Sequence, residues 1–482
     1  MLNILNTLNW RRCLQHAAAL TACLTFLIVG TFTSWTSPTL PKLEAADSPI
    51  PITRDQGSWI VSLTGVGGIL APIPAGYLVN KYGRKKLLLF TALPFILAWL
   101  LIIFARSATE MLVSRVVAGF GVGIVFTVCS MYVAEIAENS VRGILGTLMQ
   151  LLMNLGSMFG YCVGPYVSYT ALGLLSALFP VVFLGLMLFM PETPHFLLMQ
   201  GRREEAEVTL MRLRGRSNRQ DIQEELAGIE TALLQQMKDK GRPRDLIATR
   251  GTRRALVVMI GLIFIQQFGG IMAILSNAQD VFDITPGSSL SSSESAIVVG
   301  GIQLLASVGT SSLVDRLGRR PLLLASTCGC AVSLAIMGAY QYVHLRTDVD
   351  TAHYDWLPLG CVVVFLVTYC LGVGPLPIAM MGEMFPSNIK GLALSIGSML
   401  LSVCFLIVTK LYQVAVDGLG SYFTFWFFAG VSAAGVTFVF FLVPETKGKS
   451  LENIVLELNG AKTGKQAPSV EPVQVHVSTI AA

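Results

Sequence analysis

Acidic and basic side chains recur in this sequence at matched spacings, where they could form pairs of opposite charge. Seven positions separate Glu135 from Arg142, and the same spacing separates Glu383 from Lys390. Such groups form charge-assisted hydrogen bonds, which are strong and have a defined geometry. The two matched pairs are therefore candidates for contacts that a protein makes in one conformation and breaks in another.

A second motif carries the same kind of chemistry and is also duplicated. The stretch Asp315–Pro321 holds Arg319 and Arg320 beside a glycine, and the stretch Asn80–Lys86 holds Arg84 in the equivalent place. The tripeptide Pro-Glu-Thr follows later in both cases. Signatures that recur in one order indicate a chain built from two similar halves.

The elements that must position these groups are long apolar helices. The 482 residues are 53% hydrophobic and 13% charged, and the mean hydropathy is +0.65, which excludes a soluble globular protein. A membrane span needs about 20 apolar residues, and lipid offers no partner to a backbone amide outside a helix. Twelve spans are predicted, at residues 14–37, 58–79, 86–106, 110–132, 144–168, 171–190, 254–282, 294–315, 321–344, 356–384, 391–416 and 422–443.

We therefore predict an all-α membrane protein with twelve transmembrane helices in two pseudo-symmetric six-helix halves. A polar stretch between spans six and seven predicts two amphipathic helices, at 204–213 and 221–237. The predicted domains are an N-terminal segment, a first half, a helical linker, a second half and a disordered tail, at 1–13, 14–193, 194–253, 254–456 and 457–482.

The distribution of basic residues predicts the orientation. If the amino terminus is inside, the outer loops contain only four of the 34 Lys and Arg residues, which are Lys42, Arg54, Arg106 and Arg346. Positive residues stay on the cytoplasmic side, so both termini are expected there. The net charge of +5 is thus explained by topology and does not indicate nucleic-acid binding.

No catalytic or metal-binding pattern appears in the sequence. The nine cysteines include no C-x-x-C pair, and the five histidines show no ligand spacing. We expect no metal, no cofactor and no enzymatic activity. The expected partners are a small-molecule solute and the lipid bilayer, with no obligate protein partner evident.

The motifs, taken together, resemble the sugar porter family of the major facilitator superfamily. Within it the chain is most similar to the insect facilitated trehalose transporters, notably at Trp35–Pro38 and Ser58–Trp59. The resemblance runs from about residue 14 to 456, and its other motifs are Arg115–Gly121, Tyr132–Glu135, Pro191–Pro194, Gln266–Gly270, Gly374–Pro377, Gly382–Pro386 and Pro444–Gly448.

The resemblance implies that the repeated charges form a gate at the cytoplasmic seam between the halves. It assigns Glu383 and Lys390 to one cluster with Asp315, and Glu135 and Arg142 to the other. The alternative is that these charges only end the helices at the membrane surface. Asn80 stands where the family has an aspartate, which predicts a weaker seam in the first half. The remaining gating candidates are Arg84, Arg319 and Arg320.

Four glutamines lie within predicted spans and are candidates for binding a sugar. An amide both donates and accepts hydrogen bonds, and the family uses glutamines that match Gln150 and Gln266 for sugar hydroxyls. Gln267 and Gln303 are further candidates. The alternative role for all four is to join helices, which polar residues in membranes commonly do.

Three other positions where the family binds its sugar are altered. Met272 replaces an asparagine, and Ile378 and Ser402 replace tryptophans. These changes favour a different solute, or weak binding of the usual one.

Glycine and proline are predicted to interrupt spans seven and ten, either as moving hinges or as static kinks. The positions concerned are Gly269, Gly270, Gly374, Pro375 and Pro377.

Span one contains no ionisable group in the region Gly30–Trp35, where proton-coupled relatives have an aspartate. We therefore expect a facilitative, uncoupled transporter of a sugar or similar polyol in the plasma membrane, working by alternating access. The alternatives are a divergent member that carries a non-sugar solute and a sensor that binds a solute without moving it.

Overall fold

A computed structural model describes residues 13–138, 142–216, 218–238, 243–277, 291–347, 352–354, 356–385, 387–447, 449, 454 and 457–458. Every regular element in this part of the chain is a helix. Single helices form seven spans: Cys13–Glu44 (one), Arg84–Ile103 (three), Ala108–Ile136 (four), Arg142–Val163 (five), Tyr169–Phe189 (six), Ser292–Leu317 (eight) and Arg319–Arg346 (nine).

The other five spans are two further single helices and three spans that are broken into shorter helices. Span eleven is Ser387–Leu419 and span twelve is Ser421–Leu442. The broken spans are two (Arg54–Ser62, Thr64–Leu70, Pro72–Tyr82), seven (Arg250–Phe268, Ile271–Ser276) and ten (Leu357–Leu371, Leu376–Met384). Between spans six and seven lie three linker helices, Pro194–Met199, Arg203–Arg214 and Gln223–Lys238. Short 3₁₀ turns occur at Gly164–Tyr166, Arg219–Ile222, Pro243–Leu246 and Ala352–Tyr354.

Parts of spans five and eight have side chains outside the described residues. In the described residues, nine helices are long and apolar enough to cross a membrane, or ten if the bent helices of span two count as one. The two that complete the predicted twelve pack against each other and carry the polar residues Gln150, Asn154 and Gln303. Polar side chains on facing helices lower the hydropathy of a span without exposing it to water.

Span two bends by 46°, although a single straight segment over 58–79 is predicted. Its helix ends at Ser62 and again at Leu70, and Pro72 lies in the first turn of the last piece. Proline has no N–H to donate and clashes with the preceding turn, so it commonly marks such a bend. Hydropathy averages over the bend and does not register it.

The buried apolar residues form two large separate cores. One contains residues between Ala18 and Leu213, and the other contains residues between Leu246 and Leu458. Two small clusters are separate from these cores: one lies in the linker around Leu210, and the other contains Tyr161 of span five and Ala296 of span eight. The predicted division of the chain into five domains stays a prediction.

Candidate functional site

The bundle has two ends, which we call the motif end and the opposite end. The motif end carries Gly83 and Gly318 together with Glu135 and Glu383, and the opposite end carries the start of span two and the end of span eleven. Because consecutive spans alternate in direction, each charge motif falls at the same end of the bundle.

In the first half, Glu135 at the end of span four binds two other elements. One of its oxygens accepts hydrogen bonds from Arg84 Nε at 3.1 Å and Nη2 at 2.8 Å. The other accepts from the Thr193 hydroxyl at 2.6 Å. The exposed fractions of the Arg84 and Glu135 side chains are only 5% and 12%, so this ion pair is largely desolvated. It connects the start of span three, the end of span four and the Pro-Glu-Thr segment.

The second half repeats this arrangement with equivalent residues. Arg319 Nη2 donates to Glu383 at 3.2 Å, and the Thr446 hydroxyl donates to the other oxygen of Glu383 at 2.5 Å. The Arg319 and Glu383 side chains are 19% and 31% exposed, so this cluster is more exposed to solvent than its counterpart in the first half.

The glutamates of the two Pro-Glu-Thr segments cap helices. Glu192 accepts from the backbone N–H groups of Arg84 and Lys85, each at 3.1 Å. A helix start leaves such N–H groups unpaired and favours negative charge. Gly83, just before this helix, has φ +99°, and a Cβ there would lie 2.3 Å from a Glu192 oxygen. Both the backbone conformation and the space therefore require glycine.

Glu445 caps span nine in the same way. It accepts from the backbone N–H groups of Arg319 and Arg320, both at 3.0 Å. Burial raises its pKa, but backbone N–H donors outweigh burial, so the pKa of Glu445 is lowered. At Glu192 burial outweighs the donors, and the pKa is raised.

The other predicted gating residues lie apart from these clusters or outside the described part. Asn80 is exposed, and its amide donates to the Gly76 carbonyl of its own helix at 3.3 Å. Arg320 also donates to the Phe440 carbonyl, and the Lys390 side chain lies beside Gly382. The side chains of Arg142 and Asp315 are outside the described residues.

Both charge clusters therefore join elements within one half. Among the described side chains at the motif end, no ion pair connects the first half to the second. The halves meet at the opposite end instead, where Thr36 donates to the Ser276 carbonyl at 3.1 Å and Tyr161 donates to the Leu275 carbonyl at 2.8 Å. The opposite end is closed in this conformation.

Lys410 of span eleven makes the most extensive of these contacts between the halves. Its Nζ lies 2.5 Å from Asp55 Oδ1 and 2.8 Å from Ser58 Oγ, and 4.5 Å from the centre of the Trp59 ring. The neighbouring Thr409 hydroxyl donates to Ser62 at 3.1 Å. Arg54 and Asp417 add a more exposed pair at 3.5 Å.

Three of the four candidate glutamines are buried and have an unused acceptor. Gln266, Gln267 and Gln303 are at most 8% exposed. In the described part of the chain, the side-chain oxygen of each accepts no hydrogen bond. A buried acceptor without a donor costs about 1–3 kcal/mol, so these oxygens are suited to receive donors from a solute.

The fourth glutamine, Gln150, is exposed and lies near Gln303 through a polar bridge. Its Nε2 donates to Asn154 Oδ1 at 3.0 Å. Asn154 Nδ2 in turn donates to the backbone carbonyl of Gln303, in the other half, at 3.4 Å. Asn154 is 2% exposed and was missed in the sequence. Its position one helical turn after Gln150 on span five is the signal that could have indicated it.

The altered family positions lie in three different settings. Met272 packs against the second core, whereas Ile378 is 42% exposed. Ser402 lies against span two of the other half, where a Cβ on Gly68 would be 2.7 Å from its hydroxyl. Ser402 is thus part of a close helix contact.

The interruptions of spans seven and ten lie next to each other. Gly269 and Gly270 separate the two helices of span seven, and Gly270 has φ +86°. Gln266 Nε2 donates to the carbonyls of Val373 at 3.0 Å and Gly374 at 2.6 Å, just before Pro375. One candidate solute ligand thus joins the two breaks. Pro377 lies in the first turn of the helix that follows the break in span ten.

This two-half helical fold and these repeated charge motifs are typical of one family of membrane proteins. The profile of the family described as "Sugar (and other) transporter" matches residues 19–457. The chain belongs to this family. The prediction of an all-helical, two-half membrane fold of this class, made from the sequence motifs, is confirmed.

Curated relatives and solved structures agree with this assignment. The chain is 34% identical to the facilitated trehalose transporter Tret1 of Culex quinquefasciatus over 92% of its own length and 86% of that protein. It is also 34% identical to Tret1 of Aedes aegypti, again over 92% of its length but 55% of that protein. The chain thus spans about half the length of several curated relatives that it matches.

Among solved structures, the fold is similar to the xylose transporter XylE. The inward-open conformation from E. coli gives a TM-score of 0.75 at 22% identity, covering 91% of this chain and 99% of XylE. The complex of XylE with 6-bromo-6-deoxy-D-glucose gives 0.76 at 23% identity, covering 92% and 98%. These structures share the fold with this chain.

Proposed function

We propose that this chain is a facilitative transporter of a sugar or a similar small polyol that works by alternating access. The observation that carries the proposal is the set of buried glutamine oxygens in spans seven and eight that have no donor among the described residues. Sugar hydroxyls supply donors of this kind, and buried amides within a membrane are costly unless they are used. Membership of the sugar transporter family and the similarity to trehalose transporters support this solute class.

The arrangement of the halves supports alternating access. The opposite end is closed by Lys410 and Tyr161, whereas the described ion pairs of the motif end stay within each half. Exchange between this state and one with the ends reversed would expose the glutamines to each side in turn. In the proposed orientation, the motif end and both termini are cytoplasmic, and the membrane is the plasma membrane.

The proposed transport is not coupled to protons, and the chain is proposed not to be an enzyme. Span one has no ionisable side chain between Gly30 and Trp35. Collapsing a proton gradient with an ionophore should therefore leave initial uptake rates in vesicles unchanged. A loss of uptake in proportion to the gradient would contradict uncoupled transport.

Uptake of labelled trehalose, glucose and smaller polyols by vesicles that contain the full chain tests the solute class. Replacing Gln266 or Gln303 by leucine should raise KM roughly 5- to 30-fold, because each change removes an acceptor for a solute hydroxyl. Gln341→Leu is the matched control. Gln341 is also a buried glutamine, but its oxygen already accepts from the Ser421 hydroxyl at 3.0 Å. Equal effects of all three changes would contradict the proposed site.

A non-sugar solute is the second candidate, because Met272 and Ile378 present apolar groups where the family has polar or aromatic ones. A panel that includes less polar solutes separates the two candidates. Saturable binding without flux, for any member of the panel, would indicate a sensor instead.

A further inference from the structure

Arg115 in span four is buried in an aromatic cage between spans one, three and four. Its exposed fraction is 1%. The guanidinium carbon lies 4.6 Å from the centre of the Trp35 ring and 5.9 Å from that of Phe32. Trp99 stacks on the other ring, with 4.0 Å between the centres of Phe32 and Trp99.

The cage contains donors in excess of acceptors. Arg115 Nη1 donates to the Phe32 carbonyl at 2.9 Å. Within the described residues, Arg115 Nε and Nη2 and the indole nitrogens of Trp35 and Trp99 find no acceptor, although all are buried. Both tryptophans are at most 1% exposed. These four unpaired N–H donors belong to three side chains that are linked by ring contacts, since Arg115 contacts Trp35 and Phe32, and Phe32 stacks on Trp99.

The positive charge of Arg115 has no counter-ion in the described part of the chain. No ion pair there includes Arg115. Of the two carboxylates of span four, Glu135 is occupied by Arg84 and Thr193, and Glu110 accepts from the backbone N–H of Ser107. Arginine stays protonated in proteins, and an isolated buried charge is strongly unfavourable. A cation–π contact offsets only part of that cost.

Neighbouring donors and a positive charge that lacks a counter-ion in the described residues are complementary to a small anion. We propose that the cage of Arg115, Trp35 and Trp99 binds one monovalent anion of the size of chloride, held by Nε and Nη2 of Arg115. The anion would neutralise the buried guanidinium and thereby stabilise the packing of span one on span four. This site is separate from the glutamines and does not depend on the solute that is carried.

The test is the thermal stability of the purified full chain in sodium chloride and in sodium gluconate at equal ionic strength. Chloride should raise the apparent Tm saturably, by about 1 to 4 °C, and bromide should replace it. Arg115→Met should abolish the response. Arg54→Met, which removes an exposed guanidinium at the opposite end, should retain it.

A second variant keeps the proposal testable if Arg115→Met does not fold. Trp99→Phe preserves the stacked ring but removes one indole donor, so it should raise the chloride concentration at half-response several-fold. An unchanged half-response in Trp99→Phe would overturn the proposal. So would equal stability of the unaltered chain in the two salts, or a full response in a folded Arg115→Met variant.

Discussion

At the scale of single residues, the two halves use the same groups in different surroundings. Arg84 and Glu135 are more deeply buried than Arg319 and Glu383, and their pair is shorter, at 2.8 Å against 3.2 Å. The capping glutamates differ in the same direction. Burial dominates at Glu192 and raises its pKa, whereas backbone donors dominate at Glu445 and lower its pKa. Equivalent residues therefore respond to pH in opposite ways.

This difference predicts the pH dependence of two matched variants. The lowered pKa of Glu445 contributes stability above the unfolded pKa, and that contribution is lost as pH falls through the folded pKa. Glu445→Gln should therefore lower the apparent Tm at pH 7, and the difference from the unaltered chain should shrink toward pH 4.

For Glu192 the pH dependence of the stability contribution has the opposite sign. Its raised pKa gives a contribution that is present at low pH and is lost as pH rises through the folded pKa. Because burial makes ionisation of Glu192 less favourable in the folded chain than in the unfolded one, Glu192→Gln should cost less at pH 7 than Glu445→Gln. Thermal unfolding from pH 4 to 8 checks both statements, and a larger loss for Glu192→Gln at pH 7 would contradict them.

At the scale of helices, the close contact between spans two and eleven depends on small residues. A Cβ on Gly65 would lie 2.9 Å from the Ser402 carbonyl oxygen, and one on Gly68 would lie 2.7 Å from its hydroxyl. Small residues let membrane helices approach closely. Ser402 is thus part of the closed interface.

Restoring tryptophan at position 402 should force these helices apart. We expect Ser402→Trp to open the opposite end, whereas Ser402→Ala should leave it closed. A suitable reporter is Ser276→Cys in a Cys328→Ser background, since Ser276 is 2% exposed in the closed state. An impermeant thiol reagent applied from the opposite end should label the tryptophan variant several-fold faster. Equal labelling of the two variants would contradict this.

The break in span seven is predicted to require glycine at position 270. Gly270 has φ +86°, and a Cβ there would lie 2.3 Å from the Phe428 ring. Gly270→Ala should cost about 1–3 kcal/mol or more, because strain and overpacking add. Gly430→Ala in span twelve is the control, since nothing lies within 4 Å of a Cβ at that position. Thermal stability and uptake measure the difference, and equal effects would contradict it.

Sequence patterns predict which segments are helical better than how the helices bend. Span six is predicted at 171–190 and found at Tyr169–Phe189, because an uninterrupted apolar run leaves few alternatives in lipid. Span two is predicted as one segment, but it has three pieces. Its bend lies at Pro72, and the preceding glycines pack closely on spans four and eleven, which is a tertiary property that hydropathy does not report.

At the scale of the whole molecule, the described polar contacts that close the opposite end join residues far apart in the sequence. Lys410 and Asp55 are 355 positions apart. The sequence shows that Lys410 lies in a span, but a partner in the other half depends on how the halves are oriented. The glutamines were found because an amide within an apolar run is unusual by itself. The ion pair at the opposite end has no such local signal.

The Lys410 contact predicts a change in the balance of conformations. An exposed ion pair contributes about 1 kcal/mol or less, and the Trp59 ring adds a similar amount. Lys410→Met should therefore open the opposite end several-fold more often and speed labelling of the Ser276→Cys reporter. Arg202→Met is the control. Arg202 pairs with Glu205, one helical turn away, so this ion pair does not connect the two halves. Unchanged labelling of the Lys410 variant would contradict the prediction.

The separation of the two apolar cores has a consequence for how the protein is made. Every residue of the first core precedes position 214, and every residue of the second follows position 245. A nascent chain that has left the ribosome as far as Leu213 already contains all that the first core needs, so that half can assemble before the rest is translated. A chain severed between Lys238 and Pro243 would keep both cores whole, and the small cluster of Tyr161 and Ala296 would remain to reunite the fragments.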